Sequence, residues 1–261
     1  MLALARNLCA VVLAADVIGY ADGTWLTWLD TVRTQVITVS RAGITNLRDS
    51  ALKDPTNHGC MARASYYAAC RYITDAAGMA ECESVFREYL AGTEWAGSVW
   101  NSSDATWQTD GVGHRHGVTP AGTLISGHDV SGALPEEMRR GGTFAWPPTY
   151  TGYAWEAMQG TVTCAELMFR AGESDIYTHG TNAVLRAAQF IYSLVPYSAS
   201  WTPTGDDNWQ PWLLNYRTAL GAAATTPTQR GKNLGYTDWV YAAGPPAGRQ
   251  HPFADVLLSG G

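Results

Sequence analysis

Apolar residues recur at helical spacing along most of this chain, and that pattern limits its folding more than any other feature. The clearest stripe is Ala154, Ala157, Met158, Thr161, Val162, Ala165, Met168 and Phe169, closed by Gly172. Leu4, Leu8, Val11, Val12, Ala15 and Ile18 form another near the N-terminus, and Trp25, Trp28, Leu29, Val32, Val36 and Val39 follow Thr24, a predicted N-cap. A third helix is expected from about Asn57 through Met61, Ala62, Tyr66 and Ala69 to Ile73, with Gly78 as terminator. Cys82, Val85, Phe86, Tyr89 and Leu90 mark a fourth. Beyond residue 172, Ala183, Val184, Ala187, Ala188, Ile191 and Leu194 run up to Pro196. A last helix is expected over Trp209–Leu220, with Pro211 in its first turn. The expectation is an all-α single domain over 1–261, with about seven or eight helices in successive antiparallel hairpins. Such hairpins close into an α/α toroid or stack as a solenoid, and the absence of an internal repeat disfavours the solenoid.

The periodicity fails between residues 92 and 135, in a stretch rich in Gly, Ser, Thr, Asp and His. A loop this long in a compact domain is usually functional or disordered. Trp95, Trp100 and Trp107 predict an ordered one, lining a groove as part of 92–152, and 240–261 reads as a loop tail. The chain is 46% hydrophobic and 15% charged, enough for a sizeable core. Its 11 Trp and 13 Tyr against 5 Phe suit a protein that offers rings to a ligand as well as to a core. A net charge of −6 without a basic run argues against nucleic acid as a partner. Cys9, Cys60, Cys70, Cys82 and Cys164 contain no CxxC pair, which disfavours zinc and leaves mostly buried thiols with room for one disulfide. The N-terminal apolar run reads as a packed helix rather than a signal peptide, because its Arg is not at the start. No segment reaches the apolar length of a membrane span.

Three short segments carry reactive side chains: Thr56-Asn57-His58-Gly59, Leu134-Pro135-Glu136-Glu137-Met138-Arg139-Arg140-Gly141 and Tyr150-Thr151-Gly152-Tyr153-Ala154-Trp155. Asn, His, Arg and Tyr together suit elimination at a uronate. The sugar carboxylate must be neutralised, a task for Asn and for the bidentate fork of Arg. A base then removes the C5 proton and an acid protonates the glycosidic oxygen; His and Tyr can take these parts. Taken singly, an Asn-His before a helix is more often a cap, an Arg-Arg pair is usually solvated, and a Tyr at a helix entry packs.

The ordered set NH, LPxEMxRG and YxxYA resembles the alginate lyase family of α/α-toroid polysaccharide lyases, over about residues 50–195. The resemblance implies an incomplete (α/α)n toroid and a depolymerase acting on a uronate-containing anionic glycan by β-elimination. It implies that Asn57 and Arg140 neutralise the carboxylate, with Arg140 also lowering the tyrosine pKa. His58 would be the base for one C5 epimer or a second neutraliser. Tyr150 would be the acid, with the base either His58 or Tyr150 itself, and Tyr153 would be the second tyrosine of the segment. Pro147 and Pro148 lengthen the arginine-to-tyrosine spacing, Thr151-Gly152 replaces the family's His-Asn, and Thr56 and Gly59-Cys60 flank the Asn-His pair. The catalytic tyrosine is therefore open between Tyr150 and Tyr153. Helical hairpins expected of a full toroid are missing at the start, and the helix faces this exposes point to homo-oligomer formation. No metal and no cofactor are expected, and the setting is extracellular or virion-associated.

Further substrate contacts are expected from Arg139, His116, Trp209, Asn215 and Arg217, with His114, Arg115, His128, Trp201, Trp212 and Trp239 as weaker candidates. Two rival functions remain. A glycoside hydrolase would draw its two carboxylates from Asp129, Glu136, Glu137, Glu156, Asp206 and Asp207. A glycan-binding or virion structural module would need no chemistry at all.

Overall fold

The computed structural model describes residues 1–37, 43–100, 105–108 and 115–241. Its helices are α1 (Leu2–Val17), α2 (Gly23–Thr34), α3 (Leu47–Lys53), α4 (Asn57–Tyr72), α5 (Ala76–Ala91), α6 (Pro135–Met138), α7 (Tyr153–Ala171), α8 (His179–Ser193), α9 (Gln210–Arg217) and α10 (Asp238–Tyr241). The only strands among the described residues are β1 (Leu124–Ile125) and β2 (His128–Asp129), a hairpin turned by Ser126 and Gly127 at positive φ. The chain is all-α. Expected Val39, His114 and most of the tail lie outside the described residues.

Helix α4 is the axis. Every residue from Gly59 to Cys70 is buried, because α1, α3, α5 and α7 all pack around it. Its closest approach is to α7, where a Cβ on Gly160 would lie 2.3 Å from the carbonyl carbon of Cys60. Helix α1 is fastened by Ser65, whose hydroxyl donates to Ala5 O (2.8 Å) and accepts from Cys9 N (3.0 Å). The amide of Asn233 reaches the same point, donating to Ala5 O at 2.8 Å. On the α5 side, the guanidinium of Arg63 is wholly buried, donating to Ala51 O and lying 4.9 Å over the Tyr89 ring. Buried apolar residues from Ala5 to Tyr241 form one contiguous core.

Several expectations are corrected. Gly78 does not terminate a helix: Asp75 caps α5 by accepting from its N–H (3.0 Å), and α4 ends at Tyr72 with Ile73 as its C-cap, as far as the expected stripe ran. The buried stripe of α1 is Ala5, Leu8, Cys9, Val12, Leu13 and Ala15, which leaves Val11 and Ile18 exposed. Helix α2 starts from Asp22 rather than Thr24, and Trp28 and Val36 face outward. Helix α3 was not foreseen; at seven residues it is too short to show a period. Helix α9 stops at Arg217, short of Leu220. All five cysteines are buried free thiols, with no disulfide. Among the described residues no helix is long and apolar enough to cross a membrane.

Arg217, an expected glycan contact, is instead part of a structural knot. Its Nε and Nη2 donate to Glu166 Oε2 and Oε1 at 2.8 and 2.7 Å. Arg170, Tyr177 and Tyr241 donate to the same carboxylate. Burial alone would raise the Glu166 pKa, but Arg217 and Arg170 outweigh it and hold the carboxyl below its ordinary 4.5. The knot ties α7 to α9 and α10.

Alanine normally strengthens a helix relative to glycine, yet Gly160→Ala should lower the unfolding free energy by about 1–3 kcal/mol, because its methyl group meets backbone; urea unfolding measures this. Glu166→Ala should cost about 3–5 kcal/mol by stranding two buried guanidinium groups. A group with a depressed folded pKa stabilises above its unfolded value and loses that contribution as pH falls through the folded one. Melting temperature in the wild type should therefore fall below pH 4.5 partly through Glu166.

Candidate functional site

The three sequence segments do converge, at the N-terminal ends of α4 and α7. The chain enters α4 through a tight turn in which Asp54 Oδ1 accepts from Thr56 N (3.0 Å) and Thr56 Oγ1 (2.7 Å). Only glycine fits at residue 59, since a Cβ there would lie 1.7 Å from Asp54 O. Helix α6 delivers Glu137 to the start of α4, where Oε1 accepts from Asn57 N at 2.5 Å. Asn57 Nδ2 crosses to α7 and donates to Glu156 Oε2 at 3.0 Å.

The second and third segments are brought together by a closed loop. A Cβ on Gly141 would lie 2.6 Å from Thr149 O, so residues 141 and 149 touch through their backbones and Arg140 and Tyr150 flank the contact. The extra residues that lengthen this spacing, Pro147 and Pro148 included, are accommodated between these two points. Arg140 Nε lies 3.0 Å from Glu137 Oε2, and its guanidinium sits 4.1 Å over the ring of Tyr153. Tyr150 instead stands edge-to-face on Trp201, 5.1 Å between centroids. Both tyrosines are exposed, at 43% and 41%.

The electrostatics divide the roles. Burial lowers the His58 pKa beneath its ordinary 6.5; Arg140 and Arg6 act with burial, and Asp54 and Glu156 against it. His58 is therefore neutral at pH 7. The Tyr150 pKa is raised above 10 by burial and by the negative charges of Asp207 and Glu156. This corrects the expectation that Arg140 depresses it. Tyr150 is a phenol that keeps its proton at neutral pH. Burial pushes Glu137 to about 8, against Arg140 and the Asn57 N–H.

Charged groups that sequence reasoning had not assigned to this site complete it. Arg6 Nη2 donates to Glu156 Oε2 at 2.8 Å, and Lys232 Nζ lies 3.4 Å from Glu156 Oε1 and 2.6 Å from Asp206 Oδ2. Beside them, burial raises Asp207 to about 7, although Gln159 and Lys232 pull the other way. Gln159 Nε2 donates to Asp207 Oδ1 at 2.7 Å. Arg6 was legible as the one charge in the first turns of an apolar helix; Lys232 had no local signal.

Other expected contacts lie elsewhere. Asn57 is only 1% exposed, with its amide nitrogen on Glu156, so it positions its neighbours rather than meeting a substrate carboxylate openly. Arg139 turns inward, donating twice to Glu136 Oε2 at 3.0 and 2.8 Å. His116 is buried with Nδ1 against Gly92 O. Trp209 and Trp201 are fully buried and cannot stack on a sugar; Trp209 Nε1 donates to Gln159 Oε1 at 3.2 Å. Asn215 uses its amide to close a loop onto both the N–H and the C=O of Ala222. Among the described residues no three His, Cys, Asp or Glu side chains group as metal ligands would. Comparisons with protein families, with curated proteins and with solved structures found no match. The likeness to alginate lyases therefore rests on the three segments alone.

Removing a nearby cation favours protonation of histidine. Arg140→Ala should raise the His58 pKa, and a pH titration of the His58 ring signals by NMR would show the shift.

Proposed function

We propose that the chain is a polysaccharide lyase that cleaves a uronate-containing anionic glycan by β-elimination, on an incomplete α/α-toroid scaffold. One observation carries this reading: at the starts of α4 and α7, His58 lies within electrostatic range of Arg140 and Glu156, and the exposed Tyr150 lies within range of the same Glu156. In this reading Arg140, with 28% of its side chain exposed, receives the sugar carboxylate. Arg6 and Lys232, together with the N-terminal ends of α4 and α7, add positive potential behind it.

In this mechanism Arg140 withdraws charge from the C5-bound carboxylate and His58 takes the C5 proton. The electron pair left at C5 becomes the C4=C5 double bond as the C4–O bond breaks. Tyr150 gives its proton to the departing glycosidic oxygen and recovers one from water, while His58 releases the proton it took. Tyr153 holds the Arg140 guanidinium by its ring face.

A hydrolase reading is favoured by a different observation. Glu156, paired with Arg6 and Lys232, and Asp207, raised to about 7, both act on Tyr150. A carboxylate and a carboxylic acid in one site is the pattern of glycoside hydrolysis. Glu137 is too buried to be one of the pair.

An ultraviolet assay against alginate, hyaluronan, chondroitin, heparan and glucuronan separates these readings. The lyase predicts absorbance from a new double bond on at least one glycan. His58→Ala and Tyr150→Phe should each lose about 10²–10⁴-fold in kcat, and activity should persist below pH 6.5 before failing as His58 protonates. New reducing ends without absorbance would establish hydrolysis instead, and silence in both would leave a glycan-binding module.

A further inference from the structure

The loop between Gly141 and Thr149 carries two aromatic residues, and both are held in place. Phe144 packs edge-on against buried Trp107 at 4.7 Å, and its N–H donates to Thr106 Oγ1 at 2.7 Å. Trp146 has His128 of β2 lying flat against it, 4.8 Å between centroids and 14° between planes. Across it stands Tyr197, at 5.9 Å and 77°, with 54% of its surface exposed. Trp146 is half-buried against the core and Tyr197 is exposed beside it, so together they present a fixed aromatic edge that a ligand can cover.

Its position says what that is. Two segments run side by side here and make two edge-to-face pairs: Trp146 with Tyr197, and Tyr150 with Trp201. The pairs are four residues apart on both segments, so Trp146 lies within about 13–14 Å of Tyr150 along the chain. A polymer bound at Tyr150 has its neighbouring sugars within reach of the corner. We propose that Trp146 and Tyr197 form a stacking subsite for a pyranose ring of the glycan, away from the bond that breaks, and that this subsite sets a preference for longer chains. Sugar rings present faces of C–H groups that suit aromatic faces, and the contact needs no charge, complementing the charged cluster around Arg140.

This inference rests on the glycan reading of the site, and the test separates the two. Steady-state kinetics on alginate and glucuronan oligosaccharides of graded length would compare wild type with Trp146→Ala, Tyr197→Ala, Trp146→Phe and Trp28→Ala, a remote exposed control. In the wild type, KM should fall as the oligosaccharide lengthens. That gain should shrink roughly ten-fold in the two alanine variants, with kcat on the shortest cleaved substrate unchanged. Trp146→Phe should recover most of the gain, which distinguishes stacking from loss of loop structure. Active alanine variants that retain the full length dependence would overturn the subsite while leaving the lyase intact. A wild type inert on these and on hyaluronan, chondroitin and heparan, with no quenching of tryptophan fluorescence by any of them, would overturn both.

Discussion

Everything at the site depends on how closely α4 and α7 approach one another. Gly160 lets backbone meet backbone at Cys60, about one turn into α4 and about two turns into α7, so Asn57 and Glu156 can join at 3.0 Å. A larger residue at that crossing would part the helix ends, and the cluster of His58, Arg140 and Tyr150 would open with them. Burial of α4 on every side makes the crossing rigid, since interiors packed this way adjust in steps rather than smoothly. His58 thus stands on the most enclosed helix of the molecule, and Arg140 and Tyr150 are brought to its start by the segments that lead into α7.

Helices α4 and α7 were legible in the sequence almost to the residue. Each is long, each has a strong signal at one end, and Gly172 closes α7 in a left-handed conformation that other residues avoid. Helix α3 and the true face of α1 were not legible, because short segments have no measurable period and the buried face is chosen by partners far along the chain. Asn233 contacts Ala5 from 228 residues away, and no local pattern encodes that. Gly78 misled for a related reason. A glycine after an apolar run reads as an ending, while here Asp75 uses its N–H to begin a helix.

The site itself was legible as a set of segments but not as an electrostatic environment. Sequence reasoning expected cations to lower a tyrosine pKa; the fold places Glu156 and Asp207 near Tyr150 and gives Arg140 to Tyr153 instead. Two of the tryptophans named for sugar stacking, Trp201 and Trp209, were misassigned in the same way. Trp201 and Trp209 are the heaviest side chains in their neighbourhood and were taken into the core, where an indole contributes most apolar area. Trp146 sits between glycines and prolines in a segment too irregular to attract notice.

The closed loop at Gly141 and Thr149 has an evolutionary consequence. Because its two ends are fixed by a backbone contact, residues within it can be lengthened, shortened or exchanged at small entropic cost. Arg140 and Tyr150, outside the closure, would keep their places through such changes. The fold therefore separates a pair of positions held by a backbone contact from a stretch whose length that contact does not dictate.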